Sequence, residues 1–421
     1  MIFPMSSTIA VLGACGGIGS VACQALACSD SVGAIVAADR REGELKDLAS
    51  RIGDSRLSTV SVDVNDTAAL VALVGQAEVV LNCVGPFYRF GAPVLEAVIE
   101  AGTNYVDVCD DLDATLAQFD LDKRARDAGV SALIGMGSSP GLANVLVRYA
   151  ADHLLDTVES VDICHVHGGE PSEGPAVLKH RIHAMVNDVP VFADGALRNV
   201  RMLEPTGAEF IGEVDFREVG TFRVYPYPHP ETVTLPRHLP GLKRATNRGT
   251  VFPTSYFELT MSCVRDGLAS TAPLSVDGQQ VVPLEFMVAH IIESRPALLA
   301  EAGVTGPSGC LRIDIGGVVD GQQHRYVFSS GSSSDGAGAG TGIPAALGAL
   351  LMLQGEVAVP GVHPPEEVVN PMAMLSLAAS VVGKMGVGGG EPGSGGKVPL
   401  HIEHTLPDGT VEEVEMGLGA S

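Results

Sequence analysis

The chain contains no tryptophan, no cysteine pair spaced C-x-x-C, and no apolar run approaching the roughly 20 residues of a membrane span. The missing cysteine pair argues against a zinc site or a disulfide framework. The eight cysteines (15, 23, 28, 83, 109, 164, 263 and 310) are scattered, so reduced, mostly buried thiols and no metal are expected. MIFPMSST lacks a basic stretch ahead of an apolar one, so no secretory signal is read and a soluble, cytoplasmic protein is expected. Bases are scarce, 26 against 50 acids, for a formal charge of −24. That balance argues against nucleic acid or an anionic membrane as partner. It suits a cationic substrate such as an amine, although solubility alone explains it more simply.

Glycine, by contrast, is abundant at 51 residues, and one cluster has a specific meaning. TIAVLGACGGIGSVACQALA opens with a short β-branched run, Thr8 to Leu12, that reads as a buried parallel strand. A helix is expected to start near Gly16 or Gly17. Gly13, Gly16 and Gly19, in a G-x-x-G-x-x-G pattern, let the chain turn off the strand. They also let a pyrophosphate approach the first amides of the helix, at Gly17 and Ile18. A second buried strand ends in Asp39, 20 residues past Gly19, where a dinucleotide fold accepts the adenosine ribose hydroxyls. Asp39 favours NAD. Arg40 and Arg41 beside it leave NADP open.

Strands and helices keep alternating to about Gly137, which implies an α/β fold with a Rossmann-type, doubly wound parallel sheet. From there a second α+β domain with a mixed or antiparallel sheet is expected. FRVYPYPHPETVTLP and VFPTSYFELTMS read as short strands between proline-rich turns. The boundaries are drawn at 1–137, 138–335, 336–383 (helices), 384–397 (a Gly-rich linker) and 398–421 (a hairpin or tail).

VLNCVGPFYRFGAPVLEAVIEAGTNYVDVCDD, GMGSSPGLAN and GTGIPAALGALLMLQGEVAVPGVHPPEEV resemble, in that order, segments of the saccharopine dehydrogenase-like family, which includes lysine 6-dehydrogenase and carboxynorspermidine dehydrogenase. The resemblance implies a Rossmann domain, a second α/β domain and helices returning to the first. It also implies reversible hydride transfer between NAD(P) and a carbon bearing nitrogen, usually in an amino acid. The phosphate loop GACGGIG departs from the commoner G-x-G-x-x-G, and the tail after Gly383 has no counterpart.

Ligands in open parallel sheets lie outside the carboxyl ends of the strands. Asp63 is placed at the end of the third strand, near the adenine, although capping of the next helix competes, with Asp66 the better cap. Asn82, Gly85 and Pro86 are placed near the nicotinamide, and Tyr88 near the substrate. Asp110 and Asp111 are candidates to anchor a substrate ammonium, or else to cap a helix. His183 and His229 are candidate proton shuttles, or else ordinary surface histidines. Lys179, Arg181 and Arg237 are candidates for a substrate carboxylate, Lys179 sharing a helix face with His183. The leading reading is an NAD(P)-dependent oxidoreductase, expected as a homodimer, acting on an amino acid, amine or imine. The alternatives are a non-catalytic dinucleotide sensor or assembly protein, and an enoyl reductase-like branch of the family.

Overall fold

The uninterrupted apolar runs form a parallel sheet. The computed structural model describes residues 7–332, 337–385 and 400–415. Its chain divides into two units. The described residues of the first fall within Met1–Asp156, Gly338–Leu400 and Val414–Ser421, and those of the second within Thr157–Ala337 and His401–Glu413.

In the first unit β1 (Thr8–Leu12), β2 (Ala34–Asp39), β3 (Leu57–Ser61), β4 (Val79–Asn82), β5 (Asn104–Asp107) and β6 (Ser131–Leu133) run parallel in the order 3-2-1-4-5-6. A seventh strand, Gly361–His363, adds beside β6. The strand order reverses between β1 and β4, each hydrogen-bonded to the other, and that switch point is where such sheets bind ligands. Successive strand residues point to opposite faces, and in the central strands β1, β2 and β4 both faces are largely buried, which is why these runs are mostly apolar; β3, at the edge of the sheet, is LSTVS and mostly exposed. Ile9, Val11, Ile35 and Leu81 enter one core with α1 (Gly17–Ala27) and the helix Ala337–Leu353. Leu12, Ala38, Val80 and Tyr105 enter the other with α3 (Thr67–Val74) and α4 (Phe87–Ala101), while α2 (Glu42–Ile52) joins the first.

Three elements differ from what the sequence predicts. The alternation of strands and helices predicts one helix around Asp113 to Ala128, and the chain forms two there, α5 (Leu112–Phe119) and α6 (Asp122–Ala128). Asp63 lies beyond β3 rather than at its end. The helix α7 (Leu142–His153) belongs to the first unit, with Val145 in its core.

The second unit is built on a mixed ten-stranded sheet. Its members include β7 (Thr157–Gly168), β8 (Asp188–Ala193), β9 (Ala196–Arg201), β10 (Gly212–Phe216), β11 (Gly220–Pro226) and β12 (Arg244–Phe252). After the separate hairpin β13 (Leu274–Val276) and β14 (Gln279–Val281) come β15 (Ser308–Val319) and β16 (Gln322–Ser332). β7 pairs in parallel with β12 and antiparallel with β15. The helix α8 (Pro175–Val186) follows β7.

Of FRVYPYPHPETVTLP and VFPTSYFELTMS, expected as short strands between proline-rich turns, only the first parts are strands; the later parts lie in helices, Glu231–His238 and Thr254–Arg265. In the second, Tyr256, Phe257, Thr260 and Met261 are buried, a helical spacing that the β-branched and aromatic content of the segment concealed. The expected terminal hairpin consists of Leu400–Thr405 and Val411–Val414, which extend the sheet beyond β16. Residues 384 and 385 of the expected Gly-rich linker end the helix Pro371–Met385, and the rest of that linker lies outside the described residues. No described helix is long and apolar enough to cross a membrane.

Candidate functional site

In the first unit the loop between β1 and α1 is tied to the end of β2, the amides of Gly13 and Ala14 both donating to the Ala38 carbonyl. Gly13 has φ +74°, and a Cβ there would lie 2.9 Å from the Cys83 carbonyl oxygen. A Cβ on Gly19 would lie 2.3 Å from the Gly13 carbonyl oxygen. The fold itself therefore demands glycine at both positions. Gly17 is different: a Cβ there meets nothing within 4 Å. Gly16 is the N-cap of α1 and offers no side chain to the first amides, while Ile18 packs against the core behind them. Open space before an uncapped helix start in this fold fits the pyrophosphate of a dinucleotide.

Asp39 ends β2 at this loop and is 8% exposed. Its Oδ2 accepts from the Cys15 amide at 3.1 Å, and its Oδ1 accepts from the amide and Nε of Arg41, both at 3.1 Å. Burial alone would raise its pKa, but the hydrogen bonds from Arg41 and Cys15 bring it below the usual carboxylate value. Arg40 is exposed, so the side chain on Asp39 is that of Arg41. Asp63 is also exposed, its Oδ1 accepting from the amide and Nδ2 of Asn65, and Asp66 caps α3 by accepting from the Ala69 amide.

Further along the strand ends, Asn82 is fully buried, donating to the Tyr105 hydroxyl at 2.9 Å and accepting from the Val84 amide. Tyr105 in turn donates to Asp107, a residue the sequence reading did not single out. Asp107 also accepts from the amides of Cys109 and Gly135 and from Gln118 Nε2, joining β4, β5, α5 and the loop after β6. Burial pushes its carboxyl pKa up. Gly85 has open space around its α-carbon, and Pro86 is the N-cap of α4. Asp111 occupies the N-cap position of α5 yet makes no cap bond there. Its carboxylate accepts instead from the Tyr88 amide in the first turn of α4, at 2.9 Å. Asp110 is half-buried beside it.

In the second unit α8 carries three of the expected residues, and each has a local partner. Lys179 donates to both carboxylate oxygens of Glu285, at 2.6 and 2.8 Å. His183 Nδ1 lies 3.0 Å from Asn187 Nδ2. Arg181 is buried and paired with Glu173, not presented to a ligand. Burial alone would raise the pKa of Glu173, but Arg181, Tyr256 and Arg295 hold it down to about 2. Arg237 is exposed in the last turn of the helix Glu231–His238.

His229 is buried within an aromatic cluster. Its ring stacks on His165 at 5.2 Å and meets Tyr227 edge-on at 5.2 Å, with His180 at 6.4 Å. Asn247, fully buried on β12, links two of these rings. Its Nδ2 faces Glu231 Oε1 at 3.3 Å and His229 Nδ1 at 3.2 Å, and its Oδ1 faces His165 Nε2 at 3.1 Å. The carboxylate of Glu231 accepts only, so it fixes which way the amide points. His229 Nδ1 is then an acceptor, and neutral His229 carries its hydrogen on Nε2. Burial pushes the pKa of His165 well down, and the neighbouring histidines add to the shift. A Cβ on Gly249 would fall 2.0 Å from His165 Cε1, so the ring occupies the space a side chain would need.

Comparisons with known proteins bear on the fold and the cofactor. Residues 9–133 match the family described as the saccharopine dehydrogenase NADP binding domain. The chain is 28% identical over 402 residues to carboxyaminopropylagmatine dehydrogenase of Synechocystis sp., covering 90% of this chain and 96% of that protein. It is 26% identical over 405 residues to carboxynorspermidine synthase of Vibrio cholerae, covering 87% and 93%. Among solved structures, apo saccharopine dehydrogenase (L-Glu forming) from Saccharomyces cerevisiae has the same fold, with a TM-score of 0.64 at 16% identity over 88% of this chain and 96% of that one. Residues 9–133 are thus an NAD(P)-binding domain of the saccharopine dehydrogenase kind, and the chain as a whole is similar to these dehydrogenases and synthases over most of its length.

Proposed function

We propose that the protein is an NAD(P)-dependent dehydrogenase or reductase of a C–N bond, with a carboxylated polyamine or the corresponding imine as substrate. The chief support is the extent of the likeness to carboxyaminopropylagmatine dehydrogenase, which covers 90% of this chain and so reaches well beyond the dinucleotide-binding domain. A formal charge of −24 suits a substrate bearing several ammonium groups. The dinucleotide, when bound, gives or takes the hydride.

Residue roles follow within each unit. Gly13, Gly16, Gly17, Ile18 and Gly19 hold the pyrophosphate, Asp39 with Arg41 meets the adenosine ribose, and Gly85 and Pro86 border the nicotinamide end. Asp110 anchors the substrate ammonium, while Asp111 steadies the start of α4 through the Tyr88 amide. In the second unit His229 Nε2 carries the transferable proton. Arg237, exposed in the last turn of the helix Glu231–His238, is the cation proposed for a substrate carboxylate. A cytoplasmic homodimer is part of the proposal, and light scattering tests the assembly.

The direct experiment mixes an amino-acid semialdehyde with agmatine or a diamine and follows NADH or NADPH fluorescence. Reduction of the imine should oxidise one dinucleotide per condensed amine, whose mass identifies the product. Tight nucleotide binding without turnover on any aldehyde and amine pair would instead favour a non-catalytic sensor.

A further inference from the structure

Between the helices Thr254–Arg265 and Pro283–Glu301 the second unit puts out an arm, the hairpin of β13 and β14, whose strands pair with each other and with no other described strand. Its turn, Asp277 and Gly278, has φ +49° and +81°, the left-handed values of a type I′ turn, whose twist suits two antiparallel strands. Leu274 lies opposite Val281 and Val276 opposite Gln279, so alternation puts these four on one face and Ser275 and Gln280 on the other. The first face is mostly apolar, yet Leu274 and Val276 are 58% and 53% exposed. Every residue from Ser270 to Gln280 is exposed, and Phe286, just beyond the arm, is 57% exposed. A two-stranded ribbon alone is marginal in water and gains stability when its apolar face packs on something.

Charge selects the partner. Two copies of a chain with a formal charge of −24 repel, so they meet most readily where acids are few. The 17 residues Leu268–Leu284 hold a single charge, Asp277, in a chain that is 18% charged. No base lies among them, which removes the attraction an anionic membrane would supply. We propose that the arm is the contact between two copies of this chain: the face of Leu274, Val276 and Val281 packs against the same face of a second copy about a twofold axis, one patch serving both. A stable contact needs roughly 800 Å² per partner, more than three side chains supply, so the exposed run 270–280 and Phe286 belong to it. The proposal rests on the homodimer reading above and names its interface.

Multi-angle light scattering at micromolar concentrations should give the wild type twice the chain mass of 43.4 kDa. The double variant Leu274→Lys with Val276→Lys sets like charges against one another across the axis. It should weaken association by about a hundredfold or more and leave a monomer with unchanged circular dichroism. Leu274→Glu with Val276→Glu should do the same. Mixed, the two variants should form a heterodimer, because opposite charges then face each other; residues acting only within one copy would give no such restoration. Should a charged variant not fold, removal of Leu274–Val281 makes the same test without added charge and should also give a monomer. Val411→Lys, at an apolar residue 59% exposed on another strand, should leave the dimer intact. A dimer that persists in the folded arm variants, or no heterodimer on mixing, overturns the proposal and leaves the homodimer reading standing. A wild type that stays monomeric overturns both, and the arm then belongs to a different protein.

Discussion

The dinucleotide loop of the first unit draws its working groups from residues 13–41, whereas the histidine cluster of the second gathers His165, His180, Tyr227, His229 and Asn247 from separate strands, loops and helices. The loop offers backbone: amides at a helix start, and glycines where a Cβ would strike another carbonyl. The cluster offers side chains whose hydrogen positions depend on one another. A backbone site is sensitive to added volume and nearly indifferent to pH. A side-chain site is sensitive to proton balance.

The largest effect expected from breaking this contrast is on the loop. Gly19→Val places carbon 2.3 Å from the Gly13 carbonyl oxygen, and overpacking against backbone should cost about 3 kcal/mol or more, read as a lowered melting temperature. Gly17→Val, whose Cβ meets nothing, should leave stability within about 0.5 kcal/mol of wild type yet weaken dinucleotide binding about tenfold or more. If both variants only melt early, the open space before α1 is not a ligand cradle.

Next is the link between the rings. Asn247→Leu strips His165 and His229 of their shared amide and should cost about 2 kcal/mol, the penalty of stranding buried polar groups. Hydrogen exchange should quicken in β7 and β12 and not in β1 or β2.

Acid sharpens the same contrast. Burial pushes the pKa of both His165 and His167 down, so the folded second unit keeps them neutral while the unfolded chain takes up protons below the ordinary value of 6.5. Their contribution is present in full above that pH and is lost as pH falls, by at most about 1.4 kcal/mol per pH unit for each proton. Glu173, held at about 2, adds its own loss only below its ordinary value of 4.5. Asp39 loses its contribution only below 3.8, and Asp107, whose pKa burial raises, does not weaken the first unit in acid. Between pH 6.5 and 5, exchange should therefore rise in the second unit first. Equal loosening of both units would mean these histidines take up protons without unfolding.

The smallest effect belongs to Lys179→Ala. Its pair with Glu285, whose side chain is 59% exposed, is worth less than about 1 kcal/mol, so thermal stability should barely move. A large loss of turnover there would return Lys179 to the substrate.

What the sequence made legible follows the same division. Gly13, Gly19 and Asp39 answer to local geometry over one strand, turn and helix, and local spacing carries that information. Asn247 and His165 are hydrogen-bonded across a separation of 82 residues, which no spacing rule reaches. Two traces were nonetheless present: His165 and His167 share one face of a strand, and Gly249 within β12 marks a close approach. Arg181 was correctly placed on a helix, but its partner Glu173 lies before that helix and turns the guanidinium inward. The helix Thr254–Arg265 was missed because residues that favour strands hid a buried stripe.

The return of late segments to both units limits how this chain can be cut and when it can finish folding. Residues 1–156 made alone would present the sheet face of Ile9, Val11 and Leu81 without Ala345, Leu347 and Leu350, which share its core. The second unit likewise needs Leu400–Thr405 to cover β16, which would otherwise be a long open edge inviting another strand. A ribosome making this protein therefore releases two incomplete sheets at once, each waiting on a segment translated after residue 336. Contacts that distant in sequence slow folding and lengthen the interval in which aggregation competes. Fragments designed at the apparent boundary should be insoluble, whereas excision of the short hairpin Leu274–Val281, which forms its own two-stranded sheet, should be tolerated.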